Sequence, residues 1–469
     1  MKYEPHAYQR RATDFVIDNR YCALFLDMGL GKTVATLTAL DELVHDYLEA
    51  QRILVIAPKS VAQNTWSSEA SKWDHLKDMR ISVVMGTPAQ REKALQADAD
   101  IYVINRDLTT WIVMRYIKEG WPFDTVVLDE SSSFKNPASK RFKALRKVRP
   151  FIRRLVELTG TPSPNGLMDL WAQAYLIDRG KRLGPTLTAY RHDYFREGRR
   201  NGAVVYEWIP RPGSRERITR ALADVCLSMQ AADYLELPDF IQAGTDIALP
   251  PDEFRAYQEF EREQVMQLEG EDIQAVTAAA LTNKLLQFTG GSVYDEDHHF
   301  HEVSRAKLEA LEDIIESTDE PVLVYYAYQS EKERILETLR SYKPETFSGE
   351  PETLARWNSG QIRVLIAHPA SVAYGLNMQQ GGHIIVWYTP TWNLEQYQQA
   401  NARLYRQGQE KPVLVYELTA IGTVDERVRR AIGEKGNTQT ALLQYIKSLR
   451  NAHNMSKNSY ICDVSGSIK

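Results

Sequence analysis

Short apolar runs alternate with longer amphipathic stretches through most of the chain. Residues 21–25, 52–57, 81–85, 100–105, 125–130 and 154–158 read as strands. Several lack an inner polar position, as strands buried on both faces do. Between them, 6–19, 34–44, 61–73 and 106–118 carry apolar residues at helical spacing. This alternation predicts a parallel sheet with helices on both faces. Residues 166–302 break the rhythm: 166–177, 218–229, 251–268 and 273–288 read as helices, punctuated by Leu237-Pro238 and Leu249-Pro250-Pro251. A domain boundary is expected within 237–245. A second series follows, with strands at 321–328, 345–349, 362–367, 383–388 and 412–418 and helices at 332–339, 392–405 and 423–449. The expectation is an α/β protein of two lobes, 1–240 and 241–450, each with helical insertions. A polar tail, 451–469, is expected to be frayed.

Composition narrows the class. At 469 residues the chain exceeds one ordinary core. Its longest apolar runs are far short of a membrane span, and its first residues lack the apolar core of a secretory signal. Cys22, Cys226 and Cys462 have neither metal-ligand nor disulfide-framework spacing. A cytoplasmic protein is expected. A net charge of −5 argues against a protein that coats nucleic acid, yet basic clusters at 135–154 and 191–220 could meet phosphates.

The chemistry begins at Leu26-Asp27-Met28-Gly29-Leu30-Gly31-Lys32-Thr33. An apolar strand, a glycine-bearing turn and Lys-Thr at a helix start form the layout of a phosphate-binding loop. Glycines let backbone N–H groups close on phosphate oxygens, and a helix N-terminus adds partial positive charge. Lys32 would reach the β- and γ-phosphates of ATP, and Thr33 would place its hydroxyl on Mg²⁺. The strict pattern wants glycine where Leu26 stands, so a glycine turn before a surface helix is the competing reading of the triplet alone. Asp129 and Glu130 end a buried strand, where ligands bind in open α/β sheets. Two acids there are costly unless they meet a cation. Asp129 would hold Mg²⁺, and Glu130 would orient and polarise the attacking water. Gln9, about twenty residues ahead of the loop, could read the adenine edge through its amide. In the second lobe, Arg403 and Arg406 are three apart, on one face if helical. Two guanidiniums so placed could stabilise charge on a γ-phosphate.

The order Gln9, Gly29-Leu30-Gly31-Lys32-Thr33, Asp129-Glu130, Thr159-Gly160-Thr161-Pro162, Gly375-Leu376-Asn377 and Gln399, Arg403, Arg406 resembles helicase superfamily two. More narrowly it is similar to the Swi/Snf-type branch of ATP-dependent DNA translocases. Met28 in the first motif, Lys135-Asn136 after the acids, Trp392-Asn393, and Arg406-Gln407-Gly408-Gln409 also resemble that branch. The resemblance covers roughly residues 3–430. It implies two RecA-like lobes, ATP and Mg²⁺ as cofactors, a nucleotide site including Met28 and Gly375, and movement along DNA, mostly duplex, without strand separation. Compactness is similar to bacterial or bacteriophage members, and a monomer is expected. The branch carries a histidine two residues after its Asp-Glu pair; here Ser131-Ser132 follow. Asn401-Ala402 replaces an acidic residue usual before Arg403, and Tyr405 stands where histidine is common.

Loops at strand ends supply the expected DNA contacts: Lys59, Trp66, Arg106, Thr159, Thr161, and Ser371 to Asn377. The alternatives are an RNA helicase or remodeller and, from another class, a nucleic-acid-binding scaffold with a dead ATPase.

Overall fold

The computed structural model describes residues 1–27, 29–59, 61–163, 166–198, 200–201, 204–205, 208–230, 233–234, 237–266, 275–295, 297–372 and 376–433. Two compact units divide the chain between Glu236 and Leu237.

The first unit is built on strands β1 (Tyr21–Leu26), β2 (Ile53–Ala57), β3 (Ile81–Val83), β4 (Ile101–Asn105), β5 (Thr125–Asp129) and β6 (Arg154–Thr159). Two small antiparallel pairs follow: β7 (Phe195–Glu197) with β10 (Trp208–Pro210), and β8 (Arg200–Asn201) with β9 (Val204–Val205). Strand β11 (Cys226–Met229) completes the main sheet, whose order is β11-β1-β6-β5-β2-β4-β3, parallel throughout. Every residue of β2, β5 and β6 is buried, because helices cover both faces. The order sets β6 between β1 and β5, so the loops leaving these three strands are neighbours at the sheet's C-terminal edge.

In the second unit, β12 (Phe240–Ile247), a hairpin β13 (Ser292–Tyr294) and β14 (Phe300–Glu302), β15 (Val322–Tyr325), β16 (Glu345–Phe347), β17 (Val364–Ala367), β18 (Ile384–Trp387) and β19 (Val413–Ala420) are the strands. The main sheet runs β12-β19-β18-β15-β17-β16, again all parallel. Successive residues point to opposite faces, and the core obeys that period. Leu323, Tyr325, Leu365, Ala367, Ile385 and Trp387 pack on one side. Val322, Val324, Val364, Ile366, Ile384 and Val386 pack on the other.

One expected helix fails. Residues 218–229 are not one helix: a helix covers Ser214–Leu222, and Cys226–Met229 is the edge strand beside β1. Pairing with a distant strand overrides local periodicity there. The division between the units falls at the start of the expected boundary stretch, and β12, which begins within that stretch, pairs with β19 from Phe240↔Val413 to Ile247↔Ala420. The span from 166 to 302 is thus not purely helical. The tail 451–469 and the predicted helix beyond Gly433 lie outside the described residues.

One buried ion pair fastens the second unit. Lys307 Nζ lies 2.6 Å from Asp425 Oδ2, both side chains almost wholly buried. Asp425 also accepts from Thr289 Oγ1 at 2.7 Å and from the Ala420 backbone N–H at 3.0 Å. It therefore joins the helices Ala275–Thr289, Ala306–Glu316 and Val424–Gly433 to the end of β19. Lys307→Met should lower the stability of this unit by about 3–5 kcal/mol, because it leaves a carboxylate buried without its cation. Denaturant unfolding followed through the fluorescence of buried Trp357 and Trp387 measures the loss. A change under about 1 kcal/mol, the worth of a surface pair, would remove the fastening role.

Candidate functional site: a nucleotide-binding edge and its partners

The turn from β1 into the helix Lys32–His45 is made by glycines in left-handed backbone, with φ 87° at Gly29 and φ 73° at Gly31. A Cβ on Gly31 would stand 2.5 Å from Gln9 Nε2. Only glycine fits both the torsion and that approach. Gln9, on the helix Ala7–Asp18, is buried under the turn, and its Oε1 accepts from the His6 backbone N–H at 3.0 Å. The structure thus sets Gln9 against the phosphate loop. Leu26, where a longer loop would have glycine, is the buried last residue of β1. Leu30 is buried too, so the turn is anchored from below. Lys32 Nζ donates to the carbonyl oxygens of Leu26 at 2.7 Å and Asp27 at 3.4 Å, which holds the ammonium over the turn. Thr33 is the next residue of the helix. Met28 lies outside the described residues.

Asp129 closes β5 and is 7 % exposed. Trp66 Nε1–H donates to its Oδ2 at 2.9 Å. Burial pushes this carboxyl above its ordinary range, while the Trp66 bond and the Lys32 charge pull it down. The expectation that Trp66 contacts DNA is overturned: the ring is 0 % exposed and its only polar group is spent on orienting the acid. Glu130 follows at φ 54°, a left-handed conformation that costs a residue with a Cβ. Thr159 Oγ1 donates to Glu130 Oε2 at 3.4 Å and accepts from the Thr161 backbone N–H at 3.0 Å. Thr159 is wholly buried, so it links the acid to the next loop rather than facing a polynucleotide.

The donor set fits a hard divalent cation. A buried carboxylate and a threonine hydroxyl are oxygen ligands of the kind Mg²⁺ takes together with substrate phosphates. Among the described residues no group of three or more His, Cys, Asp or Glu stands together, so no all-protein metal cage competes with that arrangement.

In the second unit the helix Leu394–Asn401 ends before the two arginines. They do not share a helical face as expected; Arg403 and Arg406 occupy the turns after it, because Asn401 accepts from Trp387 Nε1 and the chain tightens there. They still converge. Arg403 Nη1 and Arg406 Nη1 donate to one acceptor, the Leu376 carbonyl, at 3.1 and 3.0 Å. Arg403 also donates through Nε to the Gln399 carbonyl. Gly375 lies outside the described residues.

Of the remaining expected DNA contacts, Lys59 and Asn377 are exposed, and Arg106, Thr161 and Ser371 are half-buried. Ser371 Oγ donates to the His368 carbonyl at 2.7 Å. The basic cluster at 135–154 is partly structural. Arg149 serves the carbonyls of Leu176 and Ile177, and Arg154 those of Val16 and Ile17. Two residues escaped the sequence reading: Trp66 in its true role, and Gln173, a buried amide in the otherwise apolar helix Leu170–Asp178.

Comparison with known proteins agrees with this geometry. The SNF2-related domain model matches residues 8–290, and the helicase conserved C-terminal domain model matches 306–408. "Putative protein p41" of Acyrthosiphon pisum secondary endosymbiont phage 1 is 37 % identical, over 95 % of this chain and 99 % of that protein. "Putative ATP-dependent helicase/translocase YwqA" of Bacillus subtilis is 24 % identical, over 89 % of this chain and 46 % of its own length. "DNA repair and recombination protein RAD54-like" of Gallus gallus is 23 % identical, over 87 % of this chain and 62 % of its own length. The chain thus spans nearly all of the phage protein but about half of the other two. A family model that covers most of the chain and two parallel α/β lobes place it: the chain belongs to the SNF2-related family and is an ATP-hydrolysing enzyme of the helicase and translocase class.

Proposed function

We propose that the enzyme is a DNA-dependent ATPase that couples hydrolysis to movement along duplex or branched DNA, remodelling DNA or its protein complexes. The carrying observation is the bonded line from Glu130 through Thr159 to the Thr161 backbone, which ties the acid to a loop at the neighbouring strand end. Such a line can pass the state of the nucleotide to a polynucleotide contact. The DNA-repair name of the Gallus gallus relative supports DNA over RNA. The phage relative supports a place in the cytoplasm of a bacterial host.

In this reading Lys32 and the N–H groups of the glycine turn bind the phosphates. Asp129 and Thr33 would hold Mg²⁺, which would supply charge neutralisation to the phosphates when bound. Glu130 orients the attacking water and accepts its proton. Arg403 and Arg406 offset the charge that spreads over the transferring phosphoryl group. Lys59, Arg106, Thr161, Ser371 and Asn377 offer cations, hydroxyls and amides to the DNA backbone.

The test is ATP hydrolysis by the wild type and Lys32→Ala, alone and with duplex, single-stranded, forked DNA or RNA. DNA should stimulate the wild type strongly, and Lys32→Ala should fall to background under every condition. Stimulation by RNA alone would replace DNA as the track. Absence of turnover under all conditions would leave a nucleic-acid-binding scaffold.

A further inference from the structure

The helix Leu170–Asp178 is apolar almost all round, yet it carries Gln173 at 1 % exposure. A buried amide is retained only if its donors and acceptor are satisfied. Here they are, and by two different catalytic-edge segments. Gln173 Oε1 accepts from Ser131 Oγ–H at 2.9 Å. Gln173 Nε2 donates to the Pro162 carbonyl at 2.6 Å and to the Asp169 carbonyl at 3.0 Å. The orientation of the amide follows from chemistry. A flipped amide would set its oxygen against two carbonyl oxygens. Ser131 is wholly buried and follows Glu130 directly, in the turn Ser131–Phe134. Pro162 closes the Thr-Gly-Thr segment after β6.

We propose that Gln173 is a positioning residue that clamps the acid-bearing turn after β5 to the loop after β6, so that a shift of one on nucleotide binding moves the other. The Glu130–Thr159 bond joins the same two segments from the nucleotide side. Gln173 joins them from the core side, through a side chain whose own helix is fixed by packing of Trp171, Leu176 and Ile177. Two bonded ties on opposite sides make the pair of loops move as one body. Loss of the Gln173 tie leaves Glu130 and the glycine turn in place and the Thr-Gly-Thr loop held to the acid by the Thr159 bond alone, so the two segments no longer move as one body.

The inference rests on the proposed DNA stimulation for its first readout only. In the 469-residue chain, Gln173→Leu removes all three bonds, Gln173→Glu keeps an acceptor for Ser131 and replaces the amide donor to Pro162 and Asp169 with a carboxyl oxygen, and Ser131→Ala cuts the first link. The ratio of DNA-stimulated to basal kcat should fall about tenfold in each, within the range reported for changes along coupling routes. KM for ATP should stay within about twofold, a split that a general loss of structure would not give. Combining Ser131→Ala with Gln173→Leu should do no more harm than Gln173→Leu alone, because both cut one line. Equal falls in basal and stimulated kcat, or an unchanged ratio in folded variants, overturn the clamp.

The second readout needs no DNA. Amide exchange of Gly160, Thr161 and Ser163 should change when a non-hydrolysable ATP analogue binds the wild type. In Gln173→Glu and Ser131→Ala that change should shrink markedly, to what the Glu130–Thr159 bond alone passes on, while the analogue still binds. A loop that responds equally in the variants, or that ignores nucleotide in the wild type, overturns the proposal even where the DNA reading holds. Absence of DNA stimulation in the wild type, with exchange as expected, would sink the DNA reading and leave the clamp.

Discussion

Glu130→Gln should bind ATP as the wild type does and hydrolyse it at least about a hundredfold more slowly, the lower bound of what a positioned general base contributes. The substitution is nearly isosteric. It keeps an oxygen in reach of Thr159 Oγ1, so the 3.4 Å bond to the neighbouring loop survives in form. In the proposed mechanism it removes the charge that polarises water and the site that accepts its proton. The backbone at residue 130 sits at φ 54° with either side chain, so the strain is unchanged. Because Lys32, Asp129 and the glycine turn are untouched, nucleotide affinity should hold, and the variant should accumulate with ATP bound. Turnover within a few-fold of wild type would take Glu130 out of the chemistry. An equal fall in affinity and turnover would make it a binding residue instead.

Much of this site was legible because its signals are local. Ile53–Ala57 and Thr125–Asp129 are continuous apolar runs, and a strand covered on both faces has no other pattern to show. Gly31 could be read as a turn because its neighbours Lys32 and Thr33 open a helix. The failures share a cause as well. Cys226–Met229 becomes a strand only by pairing with β1, some two hundred residues earlier, and nothing in its own four residues announces that. Trp66, shortly after a strand end in sequence, read as a loop contact to DNA. Its indole is committed to Asp129, 63 positions along the chain. Gln173 did leave a trace, a lone amide in the run Leu-Trp-Ala-Gln-Ala-Tyr-Leu-Ile-Asp. Such a residue must find partners, but the sequence does not say which. The arginine pair shows the reverse case. The expected helix stops at Asn401, and the Leu376 carbonyl, rather than helical spacing, gathers Arg403 and Arg406.

The difference between those two arginines decides how the second large effect should be measured. Arg403 is 6 % exposed and holds the Gln399 carbonyl as well as that of Leu376, so its loss would strip a packed turn of two bonds. Arg406 is half-buried and donates through Nη1 to the Leu376 carbonyl. Arg406→Ala is therefore the cleaner test of chemistry. It should lower kcat by about a thousandfold or more, the size of effect an arginine has on phosphoryl transfer. ATP affinity should change only a few-fold, because in the proposed mechanism the charge it meets develops in the transition state. Arg406→Lys should recover little. An ammonium is a point charge and lacks the planar fork that a guanidinium offers to phosphate oxygens. Both variants should melt close to wild type, since residue 406 is half-buried and lies in a turn outside the helix Leu394–Asn401. If kcat and affinity fell together, Arg406 would be a ground-state phosphate ligand. If lysine restored the rate, charge alone would suffice and the fork would have no part in the step.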